Sequence, residues 1–234
     1  MIKKAVILAG GEGTRLRPLT LHTPKALVEI QGKTITEHIF GLLKKYGIKD
    51  VILSVGYLKE KIKDYFKDRS EFGLNISYVE EDKPLGTAGP LKLAKEQLTE
   101  TFIVSNGDEL KDINIKEMYK RHKDENALVT IALTPVEDPS IYGVAKLEGN
   151  KIAEFVEKPK KEDAPSNLIN SGFYILEPEI IGMIPEGFAM MERDIFPKLA
   201  RQGKIAAFPF KGQWFDTGNF ERLERARKLW KGLS

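Results

Sequence analysis

The chain has 234 residues, of which 41% are hydrophobic and 30% are charged, and it contains no cysteine. This composition is typical of a globular protein with its own core and excludes a largely disordered chain. Without cysteine, the protein has no disulfides, cysteine-ligated zinc, iron–sulfur clusters or thiol catalysis. The net charge of +3 suits small phosphorylated anions and falls well short of the basic surplus of nucleic-acid binders, so no nucleic-acid partner is expected.

No targeting or membrane segment is recognisable in the sequence. Two lysines precede the apolar residues 5–9, but this run is shorter than the about 7–15 residues of a signal-peptide core. No apolar stretch approaches the roughly 18 residues that a membrane span needs. We therefore expect a cytoplasmic protein with no membrane partner.

The first half of the chain alternates strand-like and helix-like segments in the rhythm of βαβ units. The continuous apolar run at residues 5–9 and the mainly apolar segments 51–55 and 101–105 predict parallel strands covered on both faces. Apolar residues at helical spacing predict an amphipathic helix between the first two strands, with the stripe Ile35, Ile39, Leu42, Leu43 and Tyr46. Thr34 and Glu37 form a capping-box signature at its start. A doubly wound α/β fold is therefore expected for residues 1 to about 110.

The second half contains strand candidates with few helices between them, which indicates an added, partly antiparallel sheet. The candidate strands are residues 127–133, 143–147, 152–156 and 168–176, and short helices are expected near 192–200 and 219–230. The charged, proline-bearing segment 158–167 is typical of a surface loop. The terminal helix has a narrow apolar face that either covers the core or forms a subunit interface. We therefore expect one domain, and a homo-oligomer is left open.

The segment Gly10-Gly-Glu-Gly-Thr-Arg15 directly follows the first predicted strand. Glycine backbone at such a position can approach an anion closely, and the arginine adds positive charge. No Gly-Lys-Ser/Thr closes a Walker A loop, and Leu16 stands where the third glycine of a dinucleotide-binding fingerprint belongs. The segment is either a tight turn with a solvated arginine or a phosphate-binding loop. Thr23-Pro-Lys25, close behind it, favours the phosphate-binding loop.

The segment LAGGEGTRLRPLT, followed by TPKALVEIQGKT, resembles the sugar-1-phosphate nucleotidyltransferases, also called nucleotide-sugar pyrophosphorylases. The resemblance continues in order through PLGTAGPL, SNGD, YGV, FVEKP, INSG and WFDTG, so it spans residues 2 to about 228. PLGTAGPL looks most like the mannose-1-phosphate guanylyltransferase branch. The resemblance implies a Rossmann-like, doubly wound mixed sheet of the nucleotide-diphospho-sugar transferase type, without the C-terminal β-helix of many relatives. It also implies a nucleotide-binding half, residues 1–110, and a sugar-binding half, residues 111–234.

The reaction of this family is attack of a sugar-1-phosphate oxygen on the α-phosphorus of a nucleoside triphosphate, with release of pyrophosphate. The nucleophile is already mostly ionised at neutral pH, so the enzyme needs charge neutralisation and in-line positioning instead of a general base. By resemblance, Arg15, Lys25 and Asp108 are the catalytic residues. The resemblance also implies a nucleotide-binding set consisting of Leu8, Ala9, Gly10, Gly11, Gly13, Thr14, Arg15, Lys25, Glu81, Gly86 and Thr87.

Two carboxylates match the metal-binding positions of the family. Asp108 follows the third predicted strand, at the edge where open α/β sheets bind ligands, and Asp216 lies in WFDTG. Two carboxylates combined with phosphate oxygens and water are what Mg²⁺ prefers, and the metal would act as Lewis acid and template. The resemblance therefore implies Mg²⁺ as the cofactor.

The family resemblance also implies contacts to the sugar phosphate. The implied residues are Gly143, Glu157, Lys158 and Asn170, with Glu192 as a further candidate. A Glu-Lys pair at the end of a strand, such as that in FVEKP, is otherwise most often solvated.

The identity of the base is expected to depend on Glu81. Relatives that take uracil or thymine carry a glutamine at the position that matches Glu81, five residues before the glycine that matches Gly86. A carboxylate only accepts hydrogen bonds, and guanine offers N1–H and N2–H₂ donors side by side. The resemblance therefore predicts GTP, although Glu80 and Asp82 stand one position away, and an acidic solvated loop is the alternative.

We expect an enzyme that joins GTP and mannose 1-phosphate into a nucleotide sugar. One alternative keeps the reaction but uses UTP or dTTP with glucose 1-phosphate. A second alternative is a catalytically silent regulatory subunit that binds a nucleotide sugar. The presence of all four residues Arg15, Lys25, Asp108 and Asp216 argues against the silent subunit.

Overall fold

The computed structural model describes residues 2–67 and 72–234 as a mixed α/β fold with a central sheet. The strands are β1 Lys4–Leu8, β2 Glu29–Ile30, β3 Lys33–Thr34, β4 Asp50–Val55, β5 Asn75–Glu80, β6 Phe102–Asn106, β7 Glu109–Lys111, β8 Val129–Pro135, β9 Gly143–Glu148, β10 Lys151–Glu157, β11 Leu168–Leu176, β12 Ile205–Pro209 and β13 Trp214–Asp216. The α-helices are α1 Ile35–Lys45, α2 Lys59–Phe66, α3 Gly89–Leu93, α4 Ile115–Asp124, α5 Phe196–Arg201 and α6 Phe220–Leu229. The mixed α/β class expected from the sequence is confirmed.

The chain forms two compact units. Unit 1 consists of Met1–Pro84, Ser105–Ile113 and Gly212–Ser234, and unit 2 consists of Leu85–Val104 and Asn114–Lys211. The division into a nucleotide-binding half (1–110) and a sugar-binding half (111–234) stays a prediction.

Unit 1 contains three parallel strands in the order β5–β4–β1. β1 and β4 are mainly apolar because both of their faces are covered, and Ala5, Val6 and Ile7 of β1 are fully buried. β7 and β13 form a separate antiparallel ladder in which Asp216 pairs with Glu109. Parallel strands direct their carboxyl ends to one edge, and that edge carries the loops described below.

The predicted capping box of α1 is present. The Thr34 side chain accepts a hydrogen bond from the Glu37 backbone N–H, and the Glu37 carboxylate accepts one from the Thr34 backbone N–H. Ile35, Ile39 and Leu43 of the predicted stripe are buried, so helical periodicity identified the inward face of α1 correctly.

Unit 2 is built on a mainly antiparallel sheet in the order β11–β8–β12–β10–β9, with β8 and β12 parallel. β9 also pairs with β11 through Val144 and Ile169. The expected partly antiparallel second half is confirmed. The helix expected near 192–200 begins instead as a π-helical turn, Met191–Ile195, and only then continues as α5.

α6 covers the core of unit 1. Leu223, Ala226 and Trp230 are buried, whereas Leu229 is exposed, which favours the core-cover interpretation of the terminal helix. Within residues 2–67 and 72–234, no helix is long and apolar enough to span a membrane, and the strands form no β-helix.

Candidate functional site

The glycine-rich loop of unit 1 begins at the carboxyl end of β1. The Leu8 carbonyl accepts a hydrogen bond from the Gly107 N–H at 3.0 Å, and the Ala9 N–H donates to the Ser54 carbonyl at 2.8 Å. Gly13 has a φ of +61°, and a Cβ there would lie 3.0 Å from the Thr20 methyl group. A glycine is therefore required where the loop turns.

The loop leads into a short 3₁₀ turn, Thr14–Leu16, with Leu16 buried beneath it. Gly11, Thr14 and Arg15 are exposed. The backbone and the guanidinium group of this segment are therefore accessible to an anion, which is the arrangement that a phosphate-binding loop needs.

Lys25 and Asp108 form an ion pair. The Nζ of Lys25 lies 2.7 Å from the Oδ2 of Asp108, and the lysine side chain is only 10% exposed. Desolvation alone would raise the pKa of Asp108, but the charge and hydrogen bond of Lys25, with smaller contributions from Lys111 and Arg15, hold that pKa below its usual range. Asp108 is therefore an ionised carboxylate beside several cations.

Asp216 lies next to this pair because β13 pairs with β7. The backbone N–H and the hydroxyl of Thr217 both donate to the Asp108 carbonyl, at 3.2 and 2.8 Å. The Asp216 carboxylate accepts from the Gly218 N–H at 2.6 Å and forms an ion pair with Arg222. A Cβ on Gly218 would lie 3.0 Å from an Arg15 guanidinium nitrogen, so Arg15 also approaches this turn.

The carboxylates of Asp108 and Asp216 fit a divalent metal ion whose remaining ligands come from the substrate. Asp108 and Asp216 supply hard oxygen donors, with Asp216 at the end of β13 and Asp108 directly before the paired strand β7. Among the residues that the structure describes, no group of three or more histidine, cysteine or acidic side chains could hold a metal. A Mg²⁺ ion bound here would therefore need phosphate oxygens or water for most of its ligands, which is its usual preference.

Of the neighbouring residues Glu80 and Glu81, it is Glu81 whose side chain reaches the glycine-rich loop. Its Oε1 accepts a hydrogen bond from the Ser54 hydroxyl at 2.7 Å and would lie 2.4 Å from a Cβ added to Gly10. Glu80 instead forms ion pairs with Lys59 and Lys63, at 2.9 and 3.0 Å.

Gly86 and Thr87 of the segment PLGTAGPL contact residues 189–192 of the same unit. Gly86 has a φ of +78°, and a Cβ there would lie 2.3 Å from the Ala189 carbonyl oxygen, so only glycine fits. The Thr87 hydroxyl donates to Glu192 at 2.5 Å and accepts from the Met191 N–H at 2.9 Å. Both capacities of this hydroxyl are therefore used inside unit 2, and a nucleotide-binding role of Thr87 stays a prediction.

The predicted sugar contacts lie at strand ends of unit 2. Glu157 ends β10 opposite Gly143 of β9, and a Cβ on Gly143 would lie 2.9 Å from the Oε2 of Glu157. Lys158 follows with a φ of +49°, and its N–H donates to the Tyr142 carbonyl at 3.0 Å. A left-handed backbone at a lysine is strained, and such strain clusters at functional sites.

Asn170 and Glu192 are joined through Tyr174. The Asn170 amide donates to the Tyr174 hydroxyl at 2.7 Å, and that hydroxyl points to the Oε1 of Glu192 at 3.4 Å. Burial raises the pKa of Glu192, and the charge of Glu157 raises it further.

Several residues that support this site were missed by sequence reasoning. Glu109 and Lys111 are buried on one face of β7, where the Trp214 indole donates to Glu109 at 2.8 Å. Burial raises the pKa of Glu109 and lowers that of Lys111. Glu109 and Lys111 are two residues apart directly after Asp108, and this spacing could have indicated that both side chains lie on one face of a strand beside the site. Arg222 and Tyr174 carried no such signal, because Asp216 and Glu192, which they contact, lie on other elements.

A family profile described as Nucleotidyl transferase matches residues 4–231. A mannose-1-phosphate guanylyltransferase catalytic subunit beta from Xenopus tropicalis is 43% identical over 221 residues, 92% of this chain. The chain spans 61% of the length of that relative.

Two solved structures are similar in fold. UDP-glucose pyrophosphorylase complexed with UDP-glucose has a TM-score of 0.85 at 27% identity, with 98% of each chain covered. HddC from Yersinia pseudotuberculosis complexed with GMP-PN has a TM-score of 0.83 at 31% identity, covering 98% of this chain and 100% of the other. The chain thus belongs to the nucleotidyl transferase family.

Proposed function

We propose that this protein transfers a guanylyl group from GTP to mannose 1-phosphate, giving GDP-mannose and pyrophosphate. The observation that carries the proposal is the grouping of Arg15, Lys25, Asp108 and Asp216 at one edge of unit 1. The 43% identity to a mannose-1-phosphate guanylyltransferase supports the choice of substrates.

The reaction requires neutralisation of the negative charge on the phosphate groups. A phosphate monoester has a second pKa of about 6, so a sugar-phosphate oxygen attacks the α-phosphorus without a general base. One phosphorus–oxygen bond forms as the bond to pyrophosphate breaks. Arg15 is exposed and can neutralise the pyrophosphate, while Lys25 can shift from Asp108 towards the transferred phosphoryl group.

Mg²⁺ is the proposed cofactor, held by Asp108 and Asp216. When bound, it supplies Lewis-acid stabilisation of the phosphate oxygens. Lys25 and Arg222 form ion pairs with these two carboxylates, which holds the Asp108 and Asp216 side chains in place.

Guanine is proposed to bind Glu81, at the edge formed by Gly10 and Gly56. A carboxylate can accept from the N1–H and N2–H₂ of guanine together, whereas the two carbonyl groups of uracil or thymine would repel it. Glu80 is engaged by Lys59 and Lys63, which argues against a shift of the base-reading role by one residue.

The sugar phosphate is proposed to bind Gly143, Glu157, Lys158, Asn170 and Glu192 of unit 2. The strained Lys158 backbone and the connected hydroxyl and amide groups of Asn170 and Tyr174 support this. The same proposal includes a cytoplasmic location and no nucleic-acid or membrane partner. It leaves a homo-oligomeric state open.

Pyrophosphate release tests the proposal. GTP, UTP, dTTP, ATP and CTP would each be combined with mannose 1-phosphate and glucose 1-phosphate in the presence of Mg²⁺. We expect release to be fastest with GTP and mannose 1-phosphate. Preference for UTP or dTTP with glucose 1-phosphate would overturn the base and sugar assignments but keep the reaction. Absence of release with every pair would favour the regulatory, catalytically silent subunit.

A further inference from the structure

A buried serine supports the carboxylate that is proposed to read the base. Ser54 lies in β4, between Leu53 and Val55, and its side chain is fully buried. A buried hydroxyl on a central strand is costly unless it has a hydrogen-bond partner. Here the Ser54 hydroxyl donates to the Oε1 of Glu81 at 2.7 Å.

Glu81 is held from both its backbone and its side chain. Its N–H donates to the Val55 carbonyl at 2.8 Å, which continues the β4–β5 ladder one residue past β5. Its Cβ would lie 3.5 Å from a Cβ on Gly56, and its Oε1 would lie 2.4 Å from one on Gly10. Two glycines therefore leave the space that this carboxylate occupies.

We propose that Ser54 is a specificity-determining positioning residue, which holds Glu81 over Gly10 in the rotamer that accepts both donors of guanine. A glutamate side chain has three rotatable bonds, so a fixed carboxylate plane requires a constraint. Each carboxylate oxygen accepts more than one hydrogen bond, so Oε1 can keep Ser54 and still accept from the base. This inference rests on the proposed reading of guanine by Glu81.

The variant Ser54→Ala tests the inference with GTP and ITP, because ITP lacks the 2-amino group of guanine. We expect the KM for GTP to rise roughly three- to tenfold, with kcat unchanged, because one hydrogen bond is lost away from the reacting phosphorus. The KM for ITP should rise less, so the GTP-over-ITP preference falls. Ser166→Ala removes a hydroxyl that donates to the Ala145 carbonyl in unit 2, and it should leave that preference unchanged.

A double-mutant cycle with Glu81→Gln separates the inference from the proposed function. If Ser54 acts through Glu81, Ser54→Ala lowers the GTP-over-ITP preference in the wild type and has no further effect in Glu81→Gln. An equal loss in both backgrounds, or no loss in the wild type while Glu81→Gln lowers the preference, would overturn the inference and leave the proposed function standing. If Glu81→Gln itself leaves the preference unchanged, base reading by Glu81 is wrong and the role of Ser54 falls with it.

Discussion

The Nζ of Lys25 lies 2.7 Å from the Oδ2 of Asp108, although the two residues stand 83 positions apart in the sequence. The lysine follows the glycine-rich loop, and the aspartate follows β6. Because the pair is partly buried, the charge of Lys25 stabilises the ionised form of Asp108. The proposed phosphoryl-binding cation and the proposed metal-binding carboxylate are thus held ready as one charge-neutral pair.

Replacement of Asp108 by asparagine keeps the shape of the side chain but removes the charge. We expect pyrophosphate release to fall about 100-fold or more, since metal stabilisation of phosphoryl transfer is worth several kcal/mol. Initial rates over a Mg²⁺ titration measure this. Asp112→Asn is the matched control, because the Asp112 carboxylate accepts from the Ser234 N–H and lies 3.7 Å from Lys45. Turnover of Asp108→Asn within a few fold of the wild type would contradict the metal assignment.

Thr87 provides a test of which substrate PLGTAGPL serves. In Thr87→Val the hydroxyl is lost, and Glu192 loses the donor that lies at 2.5 Å. We expect the KM for the sugar 1-phosphate to rise about fivefold with the KM for the nucleotide unchanged, the size expected for the loss of one ordinary hydrogen bond. Thr87→Ser keeps the hydroxyl and should remain close to wild type. A rise in the nucleotide KM alone would instead support the nucleotide-binding role predicted from the sequence.

Gly86 is expected to be intolerant of a side chain. Gly86 and Gly187 share a φ of +78°, but a Cβ on Gly86 would lie 2.3 Å from a backbone oxygen, whereas a Cβ on Gly187 would have nothing within 4 Å. Gly187→Ala should therefore cost only left-handed strain, about 1 kcal/mol of unfolding free energy. Gly86→Ala should cost at least about 2 kcal/mol. Urea unfolding of the two variants measures the difference. Equal losses of unfolding free energy would show that the backbone at Ala189 moves away from the new Cβ without an energetic penalty.

His122 is expected to make stability depend on pH. Its ring is buried, with Nδ1 2.8 Å from the Thr130 hydroxyl and Nε2 3.1 Å from Glu177, and burial lowers the pKa of His122 despite the nearby carboxylate. The unfolded chain therefore takes up a proton that the folded protein resists. Stability from this group is complete above the ordinary histidine pKa of about 6.5 and is lost as pH falls through the lower folded value.

Thermal unfolding between pH 7.5 and pH 5.5 measures this effect. The wild type should lose more stability across that range than His122→Gln, which has no titratable ring. His38 also has a pKa lowered by burial and contributes a shared background to both proteins. The lowered pKa of Glu177 acts only below its ordinary range, outside this window. Parallel curves for the two proteins would rule out a buried neutral His122.

Much of the framework could be predicted because its signals are local. The apolar runs in β1, β4 and β6 and the capping box of α1 involve residues within a few positions of one another. α2 and β5 were not predicted. α2 buries only Ile62 and Phe66, and most residues of β5 are exposed or half-buried, so neither carries a strong apolar pattern.

The sequence motifs identify the family, and they predict Arg15, Lys25 and Asp108 as catalytic residues and Asp108 and Asp216 as metal ligands. Their partners were not recognisable. Arg222 meets Asp216, Tyr174 joins Asn170 to Glu192, and Ser54 holds Glu81. The sequence also does not determine which of the acidic residues 80–82 faces the glycine-rich loop, because the three are adjacent in the chain.

Strand patterns, helix caps and turn glycines can be predicted from the sequence, because they depend on contacts between residues close together in the chain and on backbone dihedral angles. Ion pairs and hydrogen bonds depend on distances through space, which only the packing of strands brings below about 3 Å. The sequence thus determined the family, the fold class and the chemical types at the site. The folded chain decided that Lys25 neutralises Asp108 and that Glu81, not Glu80, lies over Gly10.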